Sequence, residues 1–375
     1  MRALKNCGKR YCVLCAAMFV ILALTFFPVA AQARQSGVKI TILHLNDTHG
    51  HITPYRDKNI DSNNPVSGSA FLAKMIQTER MANPGGTILL SAGDMFQGTP
   101  ISNLFHGRPV IEIMNYLRFD AMALGNHEFD WGRDVLDQIV ASAKFPVLSA
   151  NITGPDGKYL KGVRPHIMTR RKNVSIGIIG VTTPETEYTT KPGNVADLTI
   201  APPAAVIPRM IRDLRAIDLI VGGHSHTAIT EPVNESGTII VQAGSYGTYL
   251  GVLELVFDPK SKQIVSSTET GALKLVSAAL PAQADRKVAR IVDSYEKQVK
   301  AKFSKVIGTT ALDLTRQVHK ESNLGDLIAD AMREGTGAQV AFFNGAGIRA
   351  DLPKGPITLE NIFTVLPFDN VLLSM

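Results

Sequence analysis

Four stretches of this 375-residue sequence end alike: an apolar run meets small residues and then Asp, Asn or His. "ITILHLNDTHG" delivers Asp47 and His49, and "TILLSAGDMFQG" delivers Asp94 beside Gly93. "AMALGNHEFDWG" delivers Asn126 and His127, with Asp130 following, and "DLIVGGHSHT" delivers His224 and His226. Alternate positions on an extended segment point the same way, so Asp47 and His49 converge on one point. Oxygen and imidazole donors without thiolate suit zinc, manganese, iron or cobalt. A carboxylate such as Asp94 can bridge two cations roughly 3.5–4 Å apart; such a pair polarises a phosphoryl oxygen and acidifies a bridging water. His127 and Asp130 fit a different part, an imidazole oriented by a carboxylate that stabilises or protonates a leaving group. Each stretch alone reads equally well as a turn or helix cap. Together, each behind an apolar run, they point to metal-dependent hydrolysis.

Such donors need strands that end at a common edge. From Lys39 to about Leu255, "KITILHL", "TILLSAG", "AMALG", "FPVLSAN", "VSIGIIGV", "DLIVGG" and "TIIVQAG" read as strands. Between several of them lie amphipathic stretches such as "SAFLAKMIQTERMA" and "GRDVLDQIVASA". This alternation predicts a layered α/β domain, whose sites form beyond the carboxyl ends of its strands. "LGVLELVFD" followed by "IVSSTETGALKLVSA" reads as a closing hairpin. Residues 285–303 place Val288, Ile291, Val292, Tyr295 and Val299 on one helical face, an expected interdomain connector. A second α/β region is expected from about Val306 to Met375.

The N-terminus reads as an export signal. Arg2, Lys5, Lys9 and Arg10 precede a nearly unbroken apolar run, Val13 to Ala31, and Ala31-Gln32-Ala33 offers a small-x-small cleavage pattern. Cleavage near Ala33 would give a periplasmic or secreted protein without a stable membrane anchor. It would also remove Cys7, Cys12 and Cys15, all the cysteines of the chain. At 45 % hydrophobic and 19 % charged the chain is globular. The signal carries four of the 39 Lys and Arg and none of the 33 Asp and Glu, leaving 35 against 33. That balance gives no electrostatic case for a nucleic-acid polymer as partner. Arg170-Arg171-Lys172 reads as a solvated turn, and nothing indicates a protein partner.

"LHLNDTHGH", "SAGDMFQGTP", "LGNHEFDWG", "IVGGHSHT" and "VQAGSYGTYLG", in this order, resemble the motifs of the exported 5′-nucleotidase family of the metallophosphoesterase superfamily. "ESNLGDLIADAM" and "FFNGAGIRADLPKGPITLENIFTVLPFDN" extend the resemblance toward the C-terminus. It implies an α/β fold: a four-layer α/β/β/α sandwich, then a linker helix and a partial α/β nucleotide-binding domain. The corresponding boundaries are 1–33 for the signal, 34–280, 281–305 and 306–375. Two divalent metal ions are implied, one held by Asp47, His49, Asp94 and His226, the other by Asp94, Asn126 and His224. His127 and Asp130 match the family's catalytic pair. Asn344 and Arg349 match residues that contact the nucleotide substrate, and Phe368 matches an aromatic that stacks on the base. The implied activity is removal of phosphate from nucleotides. Relatives with the same fold act as 2′,3′-cyclic phosphodiesterases, UDP-sugar hydrolases or sulfur-ester hydrolases.

The sequence departs from this pattern in two places. The family usually carries a further strand ending in Ser-His between the "GIIGVTTPE" strand and "GGHSH". Here "APPAAVIPRMIRDLRA" runs straight into "IDLIVGGHSHT", with no histidine between His166 and His224. One strand and one ligand of the second metal are therefore expected to be missing, which weakens that site. "FDNVLLSM", which begins at Phe368, stops the sequence where the family's second domain continues, and Val318 stands where an arginine is common. The alternative expectation is a truncated, catalytically impaired relative that binds metal or nucleotide without turnover.

Overall fold

The computed structural model describes residues 37–211, 217–268, 272–279 and 283–368. The expected signal, residues 1–33, lies outside them. In chain order the strands are β1 (Val38–Leu45), β2 (Thr87–Ser91), β3 (Ala121–Ala123), β4 (Val147–Leu148), β5 (Ile152–Thr153), β6 (Val163–Arg164), β7 (His166–Arg171) and β8 (Val174–Ile179). There follow β9 (Thr199–Ile200), β10 (Leu219–Val221), β11 (Val233–Glu235), β12 (Thr238–Val241), β13 (Tyr249–Asp258), β14 (Gln263–Ser267), β15 (Leu273–Leu275), β16 (Val306–Thr310) and β17 (Gly355–Thr358). The main helices are α1 (Ser69–Ala82), α2 (Arg108–Leu117), α3 (Arg133–Ser142), α4 (Pro203–Ile211), α5 (Arg286–Phe303), α6 (Asn323–Thr336) and α7 (Leu359–Val365).

The central sheet runs β14-β13-β1-β2-β3-β4-β6, with β15 also on β13. β1, β2, β3, β4 and β6 are mutually parallel, so their carboxyl ends share one edge. β13 closes the other side antiparallel to β1. Alternation along β1 splits the core: Leu43 and Leu45 face one hydrophobic cluster, Ile40 and Ile42 the other. The first cluster is filled by the apolar faces of α1, α2 and α3. It also takes Val288, Val292 and Val299 of α5. Asp285 caps α5 by accepting from the Lys287 and Val288 amides, and it receives Gln77 and Tyr116 from the first domain. The expected connector is thus built into the helical layer of the domain before it.

The second cluster packs Val174, Ile176 and Ile178 of β8 and Leu219, Val221, Ile239 and Val241 of β10 and β12 against the central sheet. This second layer comes in two pieces, a β7-β8 hairpin and a β10-β12-β11 sheet. Among the described residues no strand pairs with the free edge of β8 or of β10. The break falls in the chain where the extra strand is expected to be missing. α4, which precedes β10 and contains Pro208, buries none of its residues. The Arg170-Arg171-Lys172 cluster is not a merely solvated turn. Arg171 lies on β7, pairs with Asp120 and donates to the Thr87 carbonyl at 3.0 Å; Lys172 reaches Asn83.

After α5 the sheet is small, β16 paired antiparallel with β17. Leu324, Ile328, Ile348, Leu352 and Val365 form its core. Ser322 caps α6, and a reciprocal Thr358–Asn361 capping box starts α7. Among the described residues no helix is long and apolar enough to cross a membrane.

Candidate functional site

The turns that leave β1, β2 and β10 carry their polar residues on left-handed backbone. Asp47 (φ 49°), His49 (48°), Asp94 (55°), His224 (70°) and His226 (56°) all have positive φ. Each such non-glycine residue costs of order 1–3 kcal/mol and persists only where surrounding structure enforces it. Enforcement is visible in the main chain: Asp47 N donates to Gly93 O at 3.0 Å, His49 N to Asp94 O at 3.0 Å, and Tyr246 N to Asp47 O at 2.7 Å. Gly125 lets the β3 turn close on β2, since a Cβ there would lie 2.3 Å from Asp94 Oδ1. The result is convergence. His49 Nε2 and His226 Nε2 are 2.9 Å apart, and Asp47 Oδ1 lies 4.0 and 3.6 Å from them. His224 Nδ1 lies 2.8 Å from Asn126 Oδ1 and 3.9 Å from Asp94 Oδ2. Asp94 Oδ1 accepts from the His127 amide at 2.8 Å, and both Asp47 oxygens accept from the His224 amide at 2.9 Å.

Hydrogen-bond partners assign the free lone pairs. His49 Nδ1 faces the Gln97 carbonyl at 2.9 Å and must donate to it, so its Nε2 is bare and points at His226. Burial, reinforced by the positive charges of His127 and Arg349, keeps His49 well below the ordinary histidine range. Burial and then Arg349 lower His226 to about 4. These two imidazoles are therefore held neutral, which suits them to bind a cation. Asn126 Nδ2 donates to the Thr189 carbonyl at 3.2 Å, which turns Oδ1 toward His224. His224 is raised to about 9, chiefly by Asp94, against burial and with help from Glu185. Burial and the neighbouring Asp94 charge push Asp47 up. Burial would do the same to Asp94, but His224, His127 and His49 outweigh it and hold Asp94 below the usual carboxylate range.

His127 and Asp130 stand beside these donors, Nδ1 to Oδ2 at 2.7 Å, and the His127 ring lies 5.0 Å from His49. From the second domain, Phe368 stacks on His127 with centroids 5.6 Å apart and planes 29° apart. The Arg349 guanidinium lies between Tyr246 and Phe368, 5.7 and 5.4 Å from their rings. Asn344 is exposed and caps its own turn by accepting from the Ala346 amide, so it is not among the convergent side chains. The remaining expected site residues all are.

The calcineurin-like phosphoesterase family profile matches residues 40–228, and the 5′-nucleotidase C-terminal domain profile matches residues 302–375. The snake venom 5′-nucleotidase of Naja atra is 33 % identical over 88 % of this chain and 74 % of its own. The chain belongs to the 5′-nucleotidase family. Protein UshA of Escherichia coli is 28 % identical over 93 % of this chain and 77 % of its own. The solved 5′-nucleotidase precursor of Thermus thermophilus superposes with a TM-score of 0.77 at 31 % identity, covering 88 % of this chain and 74 % of that one. Calcineurin-like phosphoesterases use divalent metals, and in this 5′-nucleotidase-family chain the donors fit such ions. Asp47, His49 and His226 present ligand atoms all within 4.8 Å of one another. A cation bound by such donors displaces the protons they carry.

Sequence reasoning missed several residues of this 5′-nucleotidase site. Glu128, fully buried, accepts from the amides of Asp94, Met95 and Gly125 and so ties the β2 turn to the β3 turn. Burial and the Asp94 charge raise it. Gln97 and Asn103 both donate to the Pro367 carbonyl, at 3.0 and 3.1 Å, and hold the Phe368 segment against the site. Tyr246, with φ 57°, packs its ring on His51, His226 and His49. Glu185 meets His224 Nε2 at 2.8 Å. The only signals were adjacency to the motifs: Glu128 inside "GNHEF", Gln97 inside "GDMFQG", Tyr246 inside "AGSYG".

Proposed function

We propose that this chain is an exported, metal-dependent phosphohydrolase that removes phosphate from nucleotides. One observation carries the reading: Asp47, His49, Asp94, Asn126, His127, His224 and His226, from four strand ends, meet in one place, with Arg349 and Phe368 brought against it. Two divalent cations, one held by Asp47, His49, Asp94 and His226 and the other by Asp94, Asn126 and His224, would neutralise phosphate charge and acidify a water for attack. The chain supplies the rest. Asp130 holds His127 by Nδ1 and leaves Nε2 to meet a phosphate or leaving-group oxygen. Arg349 offers a planar fork to phosphate oxygens, and Phe368 offers a ring face to a base. We take 34–280 as the phosphoesterase domain, 281–305 as the α5 segment and 306–375 as the nucleotide-recognition region.

The test is phosphate release from AMP by purified residues 34–375 with manganese, cobalt or zinc. Release that disappears in Asp94→Ala and His127→Ala supports the reading. No release from the folded protein with any of these metals supports the second reading, an impaired relative. That reading is favoured by the three donors of the second cluster, Asp94, Asn126 and His224, where a fourth is expected to be missing.

A further inference from the structure

The turn after β8 reaches three side chains of the site, His224, Asn126 and Asp130. Glu185 Oε2 accepts from His224 Nε2 at 2.8 Å. Four residues on, the Thr189 carbonyl accepts from Asn126 Nδ2 at 3.2 Å. Next to it, Thr190 Oγ1 donates to Asp130 Oδ1 at 2.6 Å, and Asn194 donates to the Asp130 carbonyl at 2.9 Å. One short segment thus fixes the orientation of His224, Asn126 and Asp130. We propose that Glu185 is a positioning residue for the second cation: by accepting from His224 Nε2, it holds the ring with Nδ1 turned toward Asn126 Oδ1 and Asp94 Oδ2, and reserves Nδ1 for the ion. The inference rests on the two-cation reading above.

The physical reason is tautomer choice. A neutral imidazole keeps one N–H, and the nitrogen that binds metal must be the other. Without Glu185 the proton is free to stay on Nδ1, where Asn126 Oδ1 accepts it and competes with the ion. An acceptor on the far nitrogen removes that competition. Loss of such a partner typically costs 10–100-fold in metal affinity. In a site with three donors where four are expected, that factor decides whether the ion is held. Glu185 is half exposed, so its Coulombic attraction is screened and its contribution is orientation.

The experiment is titration of the full chain with manganese chloride alone, followed by calorimetry and by electron paramagnetic resonance of the coupled ion pair. Wild type is expected to bind two ions. Glu185→Ala should weaken the second by 10–100-fold and lose the coupled spectrum, while the affinity of the first, at Asp47, His49 and His226, reports an intact fold. Glu185→Gln should stay near wild type, because its amide oxygen accepts the same N–H. Two ions of unchanged affinity in Glu185→Ala overturn the inference and leave the two-cation reading standing. Equal weakening in the alanine and glutamine variants also overturns it, since charge and not orientation would then matter. Fewer than two ions in the wild type overturns the two-cation reading itself, and the inference with it.

Discussion

Burial of the His127 imidazole favours its neutral form, yet the hydrogen bond to Asp130 and the charges of Asp94 and Asp130 outweigh that and raise its pKa above the ordinary histidine value. A raised value keeps the proton at higher pH, so a step that needs protonated His127 fails as pH rises through it. Asp130→Asn keeps the shape and removes the charge, and the alkaline limb of the rate profile should then move to lower pH. His127→Ala should lower kcat by roughly 10²–10⁴. A pH–rate profile on AMP checks both, and an unmoved limb in Asp130→Asn would show that His127 does not act as the proton holder. At this scale the sequence was informative because the chemistry lies in side chains with characteristic spacing: Asp-x-His, His-x-x-Asp, His-x-His. It was silent where the job is to accept main-chain N–H, as Glu128 does, because any buried carboxylate looks the same in sequence. Glu185 was equally illegible, since its partner His224 is 39 residues away and reached only through the fold.

Strand β1 shows what positioning the site demands of an element. Its length and alternation follow from "KITILHL", and the strands legible in sequence, β1, β2, β3, β4, β8, β10 and β12, include the four, β1, β2, β3 and β10, whose ends carry the donors. The β7 strand was missed because "HIMTRR" has no apolar run, being stabilised by the Arg171–Asp120 pair. Within β1, His44 is fully buried opposite Gly251 of β13, and neither ring nitrogen has a partner among the described residues. A Cβ at Gly251 would lie 2.1 Å from the His44 ring, which explains glycine there. Burial lowers the His44 pKa to about 4. The native state therefore holds it neutral while the unfolded chain, near the ordinary 6.5, takes up the proton. Its contribution is complete above pH 6.5 and is lost as pH falls from there toward 4. Between pH 7 and pH 5 the loss is about 2 kcal/mol. His44→Leu should remove this slope and also the unpaired nitrogens. Urea midpoints at pH 7 and pH 5 decide it: the variant should lose less stability than wild type across that interval, and parallel losses would show that His44 is not the source.

At the scale of the whole molecule, the two domains differ in the size of their cores. The first was legible because its core is large and its periods are clean. The second was harder: Leu324, Ile328, Ile348, Leu352 and Val365 make a small core, while Phe342 is 89 % exposed and Val306, Ile307, Leu312, Val318 and Val340 are exposed with it. Its bearing on the site depends on one latch. The Pro367 carbonyl accepts from Gln97 and Asn103, and this holds Phe368 on His127 and, through Phe368, the Arg349 guanidinium. Each such hydrogen bond contributes about 0.5–1.5 kcal/mol net, so the pair is worth up to about 3 kcal/mol of docking. Gln97→Ala with Asn103→Ala removes both donors and leaves the Gln97 main-chain carbonyl, which serves His49, in place. It also removes Gln97 Oε1, a buried oxygen without a partner among the described residues. For a nucleotide, which needs the Phe368 face and Arg349, KM should rise about 10-fold or more. For p-nitrophenyl phosphate, which shares the phosphate but has no base for the Phe368 face, KM should rise less than for the nucleotide, each tenfold corresponding to about 1.4 kcal/mol. If both substrates lose activity together, the latch supports the donor cluster itself and not the seat of the base; if neither changes, Phe368 is held by its ring contacts alone.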